Sequence, residues 1–271
     1  MKRLDPGSLI LLLSFNLYCL QAIGQNFTPA RTFSEPNLVH DFFCSEVTYP
    51  TGALEQGTEG TVILSFIVNE KGIVEDLQVK QPVSPAIDAE AIRLFGMLLW
   101  EPAIKLGNPV STINEYSIKF DIKKYQKHCK LRGYDRTVYP HLPVDSSNKV
   151  YEVSQIDKPP SPIFPEKGMN LTGFINKNIK YPETAYKQSI SGKVSLRFVI
   201  EPQGRVSNIK VIESVSGGCT QEAIRLLQLI KWMPGLKDDY AVRTFMNMDL
   251  NFKIPEESDL KMFESVQMNS N

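Results

Sequence analysis

From Gly60 the chain alternates with a period of two. Val62, Leu64, Phe66 and Val68 fall on one face, and the pattern returns at Val194, Leu196, Phe198 and Ile200. Such a period predicts a strand with one buried side. Asn69-Glu70-Lys71-Gly72 and Glu201-Pro202-Gln203-Gly204 end the two runs, each offering a glycine where a left-handed residue closes a hairpin. Returning strands are expected over Val74 to Lys80 and Val206 to Ile212. The spacing then becomes helical. Ala91, Ile92, Phe95, Leu98 and Leu99 predict a helix from about Ala86 to Trp100, and a second helix is expected from about Thr220 to Trp232, with Pro102 and Pro234 as stops. Alternation resumes at Tyr116, Ile118, Phe120 and Ile122, and at Met246, Met248, Leu250, Phe252 and Ile254, predicting third strands.

Ahead of each set lies another helical stretch. Leu38, Val39, Phe42 and Phe43 predict a helix from Asn37, a candidate cap, to Ser45; Met169, Leu171, Phe174 and Ile175 predict one from Glu166 to Asn178. Tyr49-Pro50 and Tyr181-Pro182 introduce short helices to Gln56 and Gln188, since proline is tolerated in a first turn.

These parallels hold at one constant offset, without a gap, from Tyr49 to Ile122 and from Tyr181 to Ile254. Gly60 falls on Gly192, Gly72 on Gly204, Glu90-Ala91-Ile92-Arg93-Leu94 on Glu222-Ala223-Ile224-Arg225-Leu226, Trp100 on Trp232 and Phe120 on Phe252. The matches are turn glycines and core positions, so what is repeated is a fold. A direction count gives its topology. Strand two opposes strand one, the helix returns, and strand three runs parallel to strand two. In an antiparallel sheet strand three must then lie beside strand one. The expected fold is α+β: two tandem two-layer domains, each a three-stranded antiparallel sheet of order 2-1-3 with helices on one face and strand three as an open edge. Boundaries are placed at 37–124 and 150–255, with 125–149 as linker and 256–271 as a flexible tail.

Composition narrows the function. Thirty basic residues balance thirty acidic ones, so no global field points to nucleic acid. Lys2 and Arg3, an apolar run from Leu9 to Leu20 and Ala22-Ile23-Gly24 form a secretory signal layout over 1–24. Removing it leaves Cys44, Cys129 and Cys219, an odd number for an oxidising compartment. Cys44 and Cys129 flank the first repeat and are the candidate disulfide; separate thiols are the other reading. Neither copy gathers catalytic side chains at shared positions, so no enzyme chemistry is expected. His40, His128 and His141 fall outside the repeated strands and helices, and His128-Cys129 is a lone adjacent pair, so no metal site and no cofactor is expected. Gly217-Gly218 has no Lys-Ser/Thr after it to make a phosphate loop, and Asp238-Asp239 reads as a turn.

Val150-Tyr151-Glu152-Val153, Phe164-Pro165, Leu171, Phe174-Ile175, Asn178-Ile179-Lys180-Tyr181-Pro182, Gly192-Lys193-Val194, Gly204-Arg205-Val206, Glu222-Ala223 and Trp232 with Pro234-Gly235 together resemble the TonB C-terminal domain in the form common in Bacteroidetes. The first copy is similar at Tyr49-Pro50, Gly60, Gly72, Ala91 and Trp100-Glu101-Pro102. The resemblance implies a periplasmic domain that binds the N-terminal box of an outer-membrane TonB-dependent transporter, or another envelope protein, as a strand added beside strand three. Carried over, the partner-binding edge is Phe245, Asn247, Asp249, Asn251 and Lys253, with Tyr116 and Ile118 as the second candidate. Members that transmit the proton-motive force carry a Ser-x-x-x-His signature in a membrane helix; here Ser14 is followed four places on by Tyr18. A membrane-anchored transducer component and a structural envelope protein whose edges pair in a homodimer are the alternatives.

Overall fold

The computed structural model describes residues 26–132 and 142–254. The expected signal over 1–24, His141 and the expected tail from 256 lie outside the described residues. The chain divides near residue 134 into two compact units.

In the first unit the order is β1 (Phe27–Thr28), β2 (Arg31–Thr32), α1 (Pro36–Glu46), α2 (Thr51–Glu55), β3 (Gly60–Val68), β4 (Val74–Gln81), α3 (Pro85–Gly96), β5 (Trp100–Glu101), β6 (Ala103–Lys105), β7 (Asn108–Val110), β8 (Thr112–Phe120) and α4 (Ile122–Arg132). Its main sheet is antiparallel in the order β4-β3-β8, the 2-1-3 arrangement that the direction count requires. Val62, Leu64, Phe66 and Val68 of β3 are sealed from solvent against Ile87, Ala91, Leu94 and Phe95 of α3 and Val39 and Phe42 of α1. Each fully buried side chain of this size contributes roughly 1.5–3 kcal/mol by leaving water, which is why the period-two face dictates the layer.

Several ends differ from the expectation. Helix α3 starts where predicted because Ser84 Oγ accepts the Ile87 N–H and Asp88 accepts from Val83 N at 2.9 Å. It stops at Gly96, a turn before Trp100. Trp100 is a strand residue opposite Thr32, its ring 4.8 Å from that of Phe66. The stretch before α1 supplies β1 and β2, paired with β6 and β5. Asn37 is not the cap of α1: Glu35 holds that position without a side-chain bond and Pro36 is the first helical residue.

In the second unit the order is β9 (Val150–Tyr151), a single 3-10 turn (Val153–Gln155), β10 (Ser161–Ile163), α5 (Leu171–Asn178), α6 (Glu183–Lys187), β11 (Gly192–Ile200), β12 (Val206–Glu213), α7 (Cys219–Leu229), β13 (Lys231–Met233), β14 (Gly235–Lys237) and β15 (Tyr240–Phe252). The order β12-β11-β15 repeats that of the first unit, in the same register: Gly192 lies opposite Phe252 as Gly60 lies opposite Phe120. Helix α7 again ends early, and Trp232 pairs with Pro162 of β10. Asp238 and Asp239, both left-handed, form the two-residue turn between β14 and β15.

One polar brace recurs in both units. Glu90 accepts the Thr48 N–H at 2.7 Å and holds Arg93, whose Nη2 donates to the Glu46 carbonyl at 3.0 Å. Glu222 accepts the Lys180 N–H at 2.6 Å and holds Arg225, which donates to the Asn178 carbonyl at 2.7 Å. Each buried carboxylate thus ties the helix of its unit to the chain entering the next short helix. Among the described residues no helix is long and apolar enough to cross a membrane.

Candidate functional site

Strand parity decides what the outer side of strand three offers. In an antiparallel ladder the N–H and C=O of one residue point to the same side and those of the next to the opposite side. Ala241 N donates to the Pro143 carbonyl at 2.7 Å, and the Ala241 carbonyl accepts from Asp145 N at 3.0 Å. Odd-numbered residues of β15 therefore face away from β11. Phe245, Asn247, Asp249 and Asn251 direct main-chain donors and acceptors outward, while their side chains lie on the sheet face opposite the helices. Asn247, Asp249 and Asn251 are exposed, as is Lys253 beyond the strand; Phe245 is half-buried, with the Arg197 guanidinium 4.3 Å from its ring centre.

The N-terminal part of this edge is covered by the chain itself. Val144 bridges to Ala241, and β9 lies parallel to β15 with Val150 at Arg243 and Tyr151 at Thr244. An ion pair fixes that contact. Arg243 donates to both oxygens of Glu201 at 2.9 Å, and its Nη1 donates to the Asn148 carbonyl at 2.9 Å. Arg243 and Glu201 are 4% and 1% exposed. Beyond Thr244 no described strand pairs with the outer side of β15.

The first unit gives the same parity. Asn69 N donates to the Ile73 carbonyl, so odd residues of β3 face β4 and even ones face β8. The register shifts beside β3 insert their extra residues in β4, which keeps the count of β3 intact. With Gly60 opposite Phe120, Ile113, Glu115, Ser117 and Lys119 are the outward residues of β8. Tyr116 and Ile118 turn the other way: their main chain is bonded to β3, Ile118 is buried, and the Tyr116 ring lies against Phe43, Phe95 and Trp100. Burial raises the Tyr116 hydroxyl above the ordinary tyrosine range. Among the described residues no strand covers the outer side of β8 at any point.

Beside β8, a cleft of about 250 Å³ lies between the strand, α1 and α4. Helix α4 occupies sequence expected to begin the linker. No disulfide joins Cys44 and Cys129, which are both thiols here. Instead His40, Cys44 and His128 bring their ligating atoms within 4.8 Å of one another, a grouping that the sequence reading, which placed no metal site, missed. The available signal was His40 four residues before Cys44, which puts both on one helix face.

Fold and edge together define an α+β module, present twice, whose sheet ends in an exposed strand suited to protein contacts. The family model for Gram-negative bacterial TonB protein C-terminal matches residues 45–122 and 177–254, and the chain belongs to that family, in two tandem copies. Membership implies a protein-interaction role in the cell envelope. Among solved structures the chain is similar to the TonB C-terminal domain of Pseudomonas aeruginosa, at 21% identity over 40% of this chain and 96% of that one, with a TM-score of 0.29. It is also similar to the TonB C-terminal domain of Helicobacter pylori, at 19% identity over 34% and 89%, with a TM-score of 0.25. No curated protein matches.

Proposed function

We propose that this chain is a periplasmic interaction module that binds extended peptides, foremost the N-terminal box of TonB-dependent outer-membrane transporters, by strand addition at the outer side of strand three. The observation that carries this reading is that β15 already accepts a strand there. Its Arg243 and Thr244 pair with Val150 and Tyr151, and the main-chain groups of Asn247, Asp249 and Asn251 continue the same row beyond the strand pairing. Main-chain bonds supply the affinity of such docking and the outward side chains the selectivity. Asn247, Asp249, Asn251 and Lys253 are short or charged, which favours a polar strand.

Parity supplies a clean test. Proline at Asn251 removes an outward donor and leaves the bonds from β15 to β11 in place, because its missing N–H is not one of theirs. Titration of the full chain with a synthetic transporter-box peptide, followed by fluorescence, is expected to give saturable binding that Asn251→Pro abolishes. Ser117→Pro does the same work on β8 and reports whether the first copy contributes. Undiminished binding in both variants rules out strand addition at these edges.

A further inference from the structure

We propose that the first unit holds a transition-metal site, Zn²⁺ foremost, made by the thiolate of Cys44 and one ring nitrogen each of His40 and His128. The three come from two helices. His40 and Cys44, four residues apart, share a face of α1, and α4 brings His128 against them. Cys44 Sγ and His40 Nε2 are 3.6 Å apart. Bonds of about 2.3 Å to sulfur and about 2.05 Å to nitrogen at a tetrahedral angle set those atoms about 3.6 Å apart, so this pair already stands at the spacing of two zinc ligands. All three ligating atoms lie within 4.8 Å, and a side-chain adjustment on the scale of 1 Å, at most, closes the set.

The donor types fit the assignment. Two imidazoles and a thiolate select a borderline or soft cation over Mg²⁺ or Ca²⁺, which take oxygen. Cys44 and His128 are half-buried and His40 is exposed, all three lining the cleft beside β8. The fourth position thus opens toward a space that can hold water. Binding exchanges the thiol S–H for an S–Zn bond and releases one proton to solvent, with no change of oxidation state. The second copy carries Thr172 and Asn176 where the first has His40 and Cys44, so the site belongs to the first repeat alone and does not follow from the repeated fold. Its consequence is mechanical: a metal staples α4, which borders the outer side of β8, to α1. The site is also incompatible with a Cys44–Cys129 disulfide, because one sulfur cannot serve both.

The test uses the full chain, reduced and stripped with chelator, then titrated with ZnCl₂ alone by calorimetry and with Co²⁺ by absorption. The expected result is one metal per chain and a near-ultraviolet thiolate-to-Co²⁺ band. Cys44→Ser removes that band, and Cys44→Ser and His128→Ala each weaken Zn²⁺ by more than about 10-fold, since even partners of metal ligands cost that much. X-ray absorption on the wild-type zinc complex requires no variant to fold and is expected to give one sulfur at about 2.3 Å, with two nitrogens and one water oxygen completing the shell. A shell of nitrogen and oxygen alone, a band that survives Cys44→Ser, no binding, or exported protein carrying a Cys44–Cys129 disulfide would each overturn the assignment.

Discussion

The two copies share their central register pair for pair and part company at the outer side of strand three. In the second copy Arg243 and Glu201 form a buried ion pair, and Arg243 also holds the Asn148 carbonyl, so the chain's own 144–151 segment lies on the edge. The same positions in the first copy are Ser111 and Asn69. Ser111 donates to Glu70 at 2.7 Å, and the Asn69 side chain is turned into the hairpin, accepting from Lys71 N and Ile73 N. No strand among the described residues lies on the outer side of β8. The difference separates two parts of one pattern: the apolar face and the Glu-Arg brace recur with the fold, and the Arg243–Glu201 pair, which has no counterpart at the matching positions of the first copy, accompanies the covered stretch of edge in the second.

The largest effect is expected from breaking that pair. Arg243→Met leaves the buried Glu201 carboxylate without its charged partner, with the Ser207 hydroxyl still donating to it, a loss of about 3–5 kcal/mol. Amide exchange should rise across β11 and β15 and at 148–151 and stay unchanged in β3 and β8; equal loosening of both copies would sink the contrast. The shared brace predicts symmetry instead. Glu90→Gln and Glu222→Gln weaken bonds to a backbone N–H and an arginine in the same geometry, and each is expected to cost its own unit about 1–3 kcal/mol. Unequal losses, read from unit-resolved exchange, would mean the two braces carry different loads.

The smallest effect depends on pH. Tyr49 OH donates to the Thr58 carbonyl and Tyr181 OH to the Ile190 carbonyl, both at 2.5 Å. Burial first, then the charges of Glu59 and Asp121, raises the Tyr49 hydroxyl; burial first raises that of Tyr181. A folded value above the unfolded one means the folded chain keeps the proton longer. The stabilisation is therefore complete below the unfolded value near pH 10 and lost as pH rises through the higher folded value. Tyr49→Phe and Tyr181→Phe should each cost about 1 kcal/mol at neutral pH and flatten the alkaline arm of the stability curve, measured by denaturant titration at a series of pH values.

Much of this was legible in the chain. Period-two runs ending in Gly72 and Gly204 determine the hairpins, and a direction count then leaves one place for strand three. What escaped were contacts made by residues with no periodicity. Trp100 and Trp232 look like the last turn of a helix, because an aromatic at helical spacing reads as core in either state; pairing with Thr32 and Pro162 decides for strand. At the edge, apolar alternation singles out Tyr116 and Ile118, yet alternation marks the buried face, and their main chain is spent on β3. The residues that face outward on β8 are their neighbours Ser117 and Lys119. The grouping of His40, Cys44 and His128 joins positions far apart in the chain, and only the packing of α4 on α1 reveals it.

Docking by strand addition is read out residue by residue through amide exchange on the full chain with and without a saturating transporter-box peptide. Alternation is expected: the amides of Asn247, Asp249 and Asn251 slow on binding, while those of Met246, Met248 and Leu250, already bonded to β11, change little. Slowing of neither set, or of both alike, would contradict it.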